Sequence, residues 1–334
     1  MALTREHKIV GGLVVLAALS GLVYVQIKKD SMIGTPQAAA VNMPAIGTSE
    51  EIDKISIKNG EKPEVVLEKK GDKWAVTQPL SVPANQANVK SLLDNLKEIK
   101  AKEVVSLAGD EGLKKQYDLD GTKVLHLTAW KGADKKVDNY FGKSGGRGEM
   151  MMTADRPEIF AASGYSSYLY SRELKNWRDT EILKFDDANV AQMIIENKNG
   201  TLSFTKGEKW AATSRGNAID KFDEEKVKDA LRSFKSLNAE DFGDGKTPAE
   251  TGLDKPEATV AITLKDNAGK YMLHVGKVST GTSHYAQKEG DPTIFVIGSW
   301  IADWATASDA KFQKTEKPAA TGTAKADSAK PHGH

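Results

Sequence analysis

"GDKWAVT" occupies residues 71–77, and "GEKWAAT" occupies residues 207–213. A Trp straight after a Gly-acid-Lys turn is uncommon, so its recurrence marks either a site used twice or a domain built twice. The flanking residues favour the domain. Ile55, Ile57 and Asn59 match Met193, Ile195 and Asn197, 138 residues further on. Val65 and Leu67 precede the first Trp as Leu202 and Phe204 precede the second. These stretches alternate apolar and polar residues, the period of a half-buried strand. Asn59-Gly60, Gly71-Asp72 and Gly207-Glu208 supply the turns between them.

A helix follows in each copy. Val89, Leu92, Leu93, Leu96 and Ile99 form one apolar stripe at helical period, and Val227, Ala230, Leu231, Phe234 and Leu237 repeat it. Asn85 and Asp223 stand where N-caps belong. Beyond the helices, "YDLD" (117–120) pairs with "TGLD" (251–254), and "FGKS" (141–144) with "VGKV" (275–278). "TADRPEIF" (153–160) pairs with "KEGDPTIF" (288–295) as a turn between strands. Trp177 precedes Phe185 as Trp304 precedes Phe312, each by eight residues. A period this long is too large for a solenoid unit. The pattern predicts an α+β protein of two tandem, internally duplicated domains, each a mostly antiparallel sheet with covering helices. The four Trp residues of the pattern are expected to be largely buried core anchors.

Composition bounds the rest. The 334 residues suit two domains, and 47 Lys+Arg against 46 Asp+Glu give no electrostatic reason to expect nucleic acid. The absence of cysteine excludes disulfides, thiolate nucleophiles, Cys-based zinc sites and an N-terminal lipid-modified Cys. Residues 9–27, "IVGGLVVLAALSGLVYVQI", carry no charge. As a helix they would span about 28 Å, close to the hydrocarbon thickness of a bilayer. The apolar run is longer than a signal-peptide core, and Ala38-Ala39-Ala40 lies too far downstream for cleavage. A retained transmembrane helix is therefore expected. Arg5 and Lys8 before it balance Lys28 and Lys29 after it, so charge does not orient it. The expected organisation is an anchor at 1–29, a linker at 30–50, domains at 51–187 and 188–313, and a disordered tail at 314–334. The bulk of the chain would then face the periplasm or lie otherwise outside the cytoplasm.

The "IxIxNG…VxLxKxGDKWxVTxP" opening, the capped helix and "VGKVSTGTSHYAQKEGDPTIFVI" (275–297) resemble the bacterial domain of unknown function 4340 over residues 52–312. Members of that family are membrane-anchored and often encoded beside components of ABC-type transport systems, including gliding-motility-like ones. The family has no established catalytic residues, so the resemblance carries no site onto this chain. It implies a membrane protein complex as partner. The first copy departs from the pattern, with Met151 read where the second has Tyr285.

Chemical motifs are sparse. "GKSGGRGE" (142–149) has the wrong order for a phosphate-binding P-loop, whose Lys follows the Gly run and opens a helix. It reads as a hairpin loop. His126 and His274 fall in strands, His284 in the 277–285 loop, and His332 and His334 on the tail. No metal-binding or nucleophile-elbow spacing appears, so no catalytic, metal or cofactor residue is assigned. The acidic residues Asp179, Glu181, Asp186 and Asp187 read as a solvated linker with capping roles. The candidate ligand or partner contacts are Lys277, His284 and Tyr285. The leading reading is a non-enzymatic, membrane-anchored accessory or scaffold subunit. The alternatives are a periplasmic binding module for a small ligand or envelope polymer, which exposed aromatics near Tyr285 would favour, and an unrecognised hydrolase.

Overall fold

A computed structural model describes residues 42–108 and 110–315. The expected span at 9–27, most of the linker and most of the tail with His332 and His334 lie outside the described residues. Among the described residues, no helix is long and apolar enough to cross a membrane. The chain forms two compact units that divide between Trp177 and Arg178.

The first unit opens with strands β1 (Lys54–Asn59), β2 (Val65–Lys70), β3 (Lys73–Gln78) and the two-residue β4 (Val82–Pro83). Helix α1 (Gln86–Glu98) leads to β5 (Lys100–Ser106), and the short helix α2 (Glu111–Gln116) leads to β6 (Leu125–Lys131). Then come β7 (Asp134–Gly145), β8 (Gly148–Thr153), β9 (Ile159–Ser163) and the one-turn helices α3 (Ser167–Tyr170) and α4 (Leu174–Trp177). The nine strands form one antiparallel sheet in the order β4-β3-β2-β1-β6-β7-β8-β9-β5.

The second unit begins with β10 (Glu181–Lys184). It continues with β11 (Val190–Asn197), β12 (Gly200–Lys206), β13 (Trp210–Ser214), β14 (Asn217–Ala218) and helix α5 (Glu224–Phe234). After β15 (Ser236–Asn238), β16 (Asp241–Phe242) and α6 (Pro248–Thr251), it has β17 (Ala258–Leu264), β18 (Lys270–Val278), β19 (His284–Lys288), β20 (Phe295–Ile297) and α7 (Ser299–Ala305). Its nine-stranded sheet runs β14-β13-β12-β11-β17-β18-β19-β20-β16, the same order as the first, while β10 pairs with β15 apart from it. The α+β class and the antiparallel sheets are therefore present as expected.

Each main helix forms for local reasons and is kept by burial. The Asn85 side chain accepts from the backbone N–H of Asn88, and Asp223 accepts from that of Glu225. Val89, Leu92 and Leu96 of α1 are buried against the first sheet. Val227, Ala230, Leu231 and Phe234 of α5 are buried against the second. Trp74, Trp177 and Trp210 are buried as expected. Trp304 is only half-buried; it packs its ring 5.6 Å from that of Phe312 and carries the Lys311 ammonium 4.3 Å from its centroid.

Two expected boundaries shift. Ile46, placed in the linker by the sequence reading, is 1% exposed, and its carbonyl accepts from the buried Asn139 side chain at 2.7 Å. The chain is thus packed onto the first unit before residue 51. At the other end, Ile182 and Leu183 are buried in the second unit's core with Phe185 packed against it. Part of the expected acidic linker is therefore strand β10, and Phe185 is not the first unit's counterpart of Phe312. Asp186 does keep a capping role, accepting from the Ala188 N–H.

Truncating core side chains should be costly in both units. Leu92→Ala should destabilise by about 2–5 kcal/mol and Phe204→Ala by about 3–5 kcal/mol. Denaturant midpoints of the purified variants check both.

Candidate functional site

The 277–285 segment is a hairpin in which β18 ends at Val278 and β19 starts at His284. Ser279 N–H donates to the Ser283 carbonyl at 2.8 Å and closes the turn. Lys277 is exposed and lies against Gly252, the left-handed residue that ends α6. Its charge and that of Lys246 add to the lowering of the Glu250 pKa, which comes first from the backbone and hydroxyl hydrogen bonds of Thr247. His284 contacts the Thr282 carbonyl through Nδ1 at 3.2 Å and stands 4.0 Å from a Glu257 carboxylate oxygen. Tyr285 is 8% exposed and packs in a small cluster with Leu253, Ile294 and Val296. Successive strand residues point to opposite faces. His284 and Tyr285 therefore cannot serve one binding surface, and Tyr285 offers no open aromatic platform.

The first unit places different side chains at these positions. Phe141 pairs with Met151, as Val275 pairs with Ala286. The counterpart of Tyr285 is therefore Met150, one residue from the Met151 read from the sequence, and the counterpart of His284 is Glu149. Both registers slip at the same bulge, and the offset arises in the turn beyond it: Glu149 follows Ser144 by five residues, whereas His284 follows its counterpart Val278 by six. Met150 packs with Leu119, Ile159 and Ala161 in a cluster matching that around Tyr285. The glycine of each "GK" pair has a packing role. A Cβ on Gly142 would collide with the Tyr117 carbonyl, and one on Gly276 with the Thr251 carbonyl, where the end of a short helix rests on the strand. The glycine run in "GKSGGRGE" is no open loop, since β7 continues to Gly145 and β8 resumes at Gly148.

Glu149 is the one carboxylate of this region held out of water. It is 7% exposed and accepts from the Ser144 hydroxyl. Burial pushes its pKa up, with the Ser144 hydrogen bond opposing. It lies beside the stacked rings of Phe141, Tyr165 and Tyr170, whose successive centroids are 4.1 and 4.9 Å apart. Burial first, and then the Glu149 and Tyr170 charges, keep the Tyr165 phenol protonated.

Two histidine networks lie on the sheet faces turned away from the main cores, and no local motif signals them because their partners are on other strands. His126 Nε2 meets Asp138 at 2.7 Å and Thr128 Oγ1 at 3.3 Å, with Tyr140 stacked at 4.3 Å. His274 meets Thr259 Oγ1 through Nδ1 at 3.2 Å and Glu289 through Nε2 at 2.7 Å. Catalytic triads set nucleophile and acid on opposite ring nitrogens and add free N–H donors for the oxyanion. In the first network both partners meet one nitrogen. In the second, the flanking strands pair with one another through their ladders. Both are cross-strand polar networks on a solvated face. Among the described residues, no group of three or more His, Asp or Glu side chains is arranged to hold a metal ion.

The repeated Trp residues border matching hollows. One of about 210 Å³ is lined by Ile52, Lys69, Trp74 and Leu93. The other, of about 290 Å³, is lined by Val190, Lys206, Trp210 and Leu231 at the corresponding positions. Lys69 pairs with Trp74 across the strands, and Lys206 with Trp210. The heptapeptide thus recurs with the same cross-strand Lys and the same apolar helix contact.

Two acids should respond to pH with opposite sign. Burial raises the pKa of Asp138, but hydrogen bonds from Lys135 and His126 outweigh it and the pKa is lowered from 3.8. Its stabilisation is present above that value and lost as pH falls through the lower folded one. Asp138→Asn should therefore destabilise at neutral pH, and the difference from wild type should vanish in strong acid. The raised pKa of Glu149 makes the folded state bind the proton more tightly, so stability falls as pH rises above 4.5. Glu149→Gln should stabilise at pH 7 and lose that advantage below pH 4.5. Denaturant titrations from acid to neutral pH check both signs.

No curated protein and no solved structure is significantly similar to the chain. The sequence model of a family described as a domain of unknown function (DUF4340) matches residues 74–256, from the first repeated Trp to the loop before β17. That match spans more than half of the chain, so the chain belongs to this family.

Proposed function

We propose that the chain is a non-enzymatic, membrane-anchored extracytoplasmic subunit that holds partner proteins, and that its two units are copies of one domain. The observation that carries this reading is that the scaffold recurs while the side chains at the candidate contact positions do not. Both sheets share one strand order. Yet Glu149 stands opposite His284 in the register, and Met150 opposite Tyr285. A duplicated enzyme would be expected to keep reactive groups in at least one matching place, whereas a duplicated scaffold needs only its packing. The uncharged residues 9–27 supply the proposed anchor. The family resemblance points to an ABC-type transport or envelope-motility complex as the partner, in the bacterial inner membrane with the two units outside the cytoplasm.

Cross-linking in native membranes, read by mass spectrometry, tests the partner. Recovered peptides should join either unit to an integral transport component. Exporting the chain without residues 1–29 should abolish those cross-links and the cellular phenotype, because a tether raises local concentration toward the millimolar range. Full activity of the untethered, exported fragment would sink the reading and favour a free binding protein or enzyme. A cytoplasm-only reporter fused after residue 334 should be inactive.

A further inference from the structure

Six buried side-chain nitrogen or oxygen atoms among the described residues lack a hydrogen-bond partner, and three belong to side chains around one hollow. They are Tyr170 Oη, Arg172 Nη1 and Trp177 Nε1. The hollow measures about 250 Å³ and lies in the first unit between the ends of β1 and β2 and the α3–α4 segment. Ile57, Val65 and Leu174 give it apolar walls. Buried polar groups in folded proteins are nearly always paired, and leaving one unpaired is costly. Three such groups around a single space call for an occupant.

The chemistry of the three groups narrows what that occupant is. The indole N–H and the guanidinium donate and cannot accept. Burial raises the pKa of Tyr170, so its phenol stays protonated and also donates. Water can accept only two hydrogen bonds and must place its own protons as well. A carboxylate presents two oxygens with about four acceptor positions and matches a guanidinium in shape and charge. Glu173, the one acid of the lining, is exposed. The three polar atoms themselves are enclosed, so a ligand in the hollow meets them only as a wall side chain moves, and Arg172 is the one of the three residues not fully buried. That residue is half-buried, and its guanidinium lies 5.5 Å from the Trp177 ring.

The second unit closes the corresponding place. Asn197, which matches Asn59 at the end of the first strand, donates to the carbonyls of Ala305 and Ala307 at 2.8 and 2.9 Å. Phe312, fully buried, fills the interior beside Phe204 at 4.5 Å. Asn59 instead lines the hollow. The space is thus a property of the first unit and not a by-product of the shared strand order.

We infer that the first unit binds a small organic acid, its carboxylate held by Tyr170, Arg172 and Trp177 and its compact apolar body against Ile57, Val65 and Leu174. This goes beyond the scaffold reading and does not depend on it.

The probe is benzoate, with neutral benzamide as its control, titrated into the full-length chain labelled with ¹⁵N at tryptophan. The Trp177 indole signal is the one lost in Trp177→Phe. Benzoate should shift it saturably, and benzamide should not. Arg172→Met and Tyr170→Phe should each weaken benzoate by about tenfold or more. Tyr170→Phe should melt no lower than wild type in the absence of ligand, since the hydroxyl has no partner to lose. The inference is overturned if the Trp177 signal does not respond, if benzamide shifts it equally, or if the two variants bind benzoate like wild type. A lower melting temperature for Tyr170→Phe would also overturn it, by assigning the hydroxyl a partner within the fold.

Discussion

In the first unit the chain must pass from one edge of a nine-stranded sheet to the other through a single helix. β4 is at one edge and β5 at the opposite one, and only α1 with three flanking residues joins them. Eight inter-strand steps of about 4.8 Å would separate those edges by about 38 Å in a flat sheet. A helix of 13 residues covers only about 20 Å, and the three flanking residues, fully extended, add only about 10 Å. The sheet must therefore curl around the helix, and the apolar stripe of α1 becomes the axis on which the core is laid. Leu92 and Leu96 are buried because they occupy that axis.

This constraint explains why each sheet has a Trp at this place. Trp74 and Trp210 lie one strand in from the β4 and β14 edges, where the curled sheet meets its helix. Leu93 and Leu231 share their hollows. A smaller side chain would open the core at its least covered margin. The same logic explains the glycines of the two "GK" pairs, which let the last carbonyl of a short helix settle on a strand. Motifs that look like ligand-binding text are, in this fold, conditions for close packing.

What differs between the units lies where packing leaves freedom. The end of the first sheet is covered by two one-turn helices carrying Tyr170 and Trp177, and the second by the longer α7. In the second unit asparagine side chains fasten the helix by its carbonyls, and in the first, side chains with unpaired buried donors line a hollow.

Periodicity alone determined the opening strands and the main helix of each unit, their apolar faces and the caps at Asn85 and Asp223. These are local properties, set by side-chain alternation and by hydrogen bonds spanning two or three residues. Only the tertiary structure decided that β5 and β16 join the far edges, that Ile46 and Leu183 belong to the cores, and that Met150 rather than Met151 corresponds to Tyr285. Each depends on pairing between strands, where a turn one residue shorter shifts the register and turns every later side chain to the other face. The His126–Asp138 and His274–Glu289 networks and the donors at Tyr170, Arg172 and Trp177 were hidden for the same reason. Their chemistry exists only once separate strands and helices stand side by side.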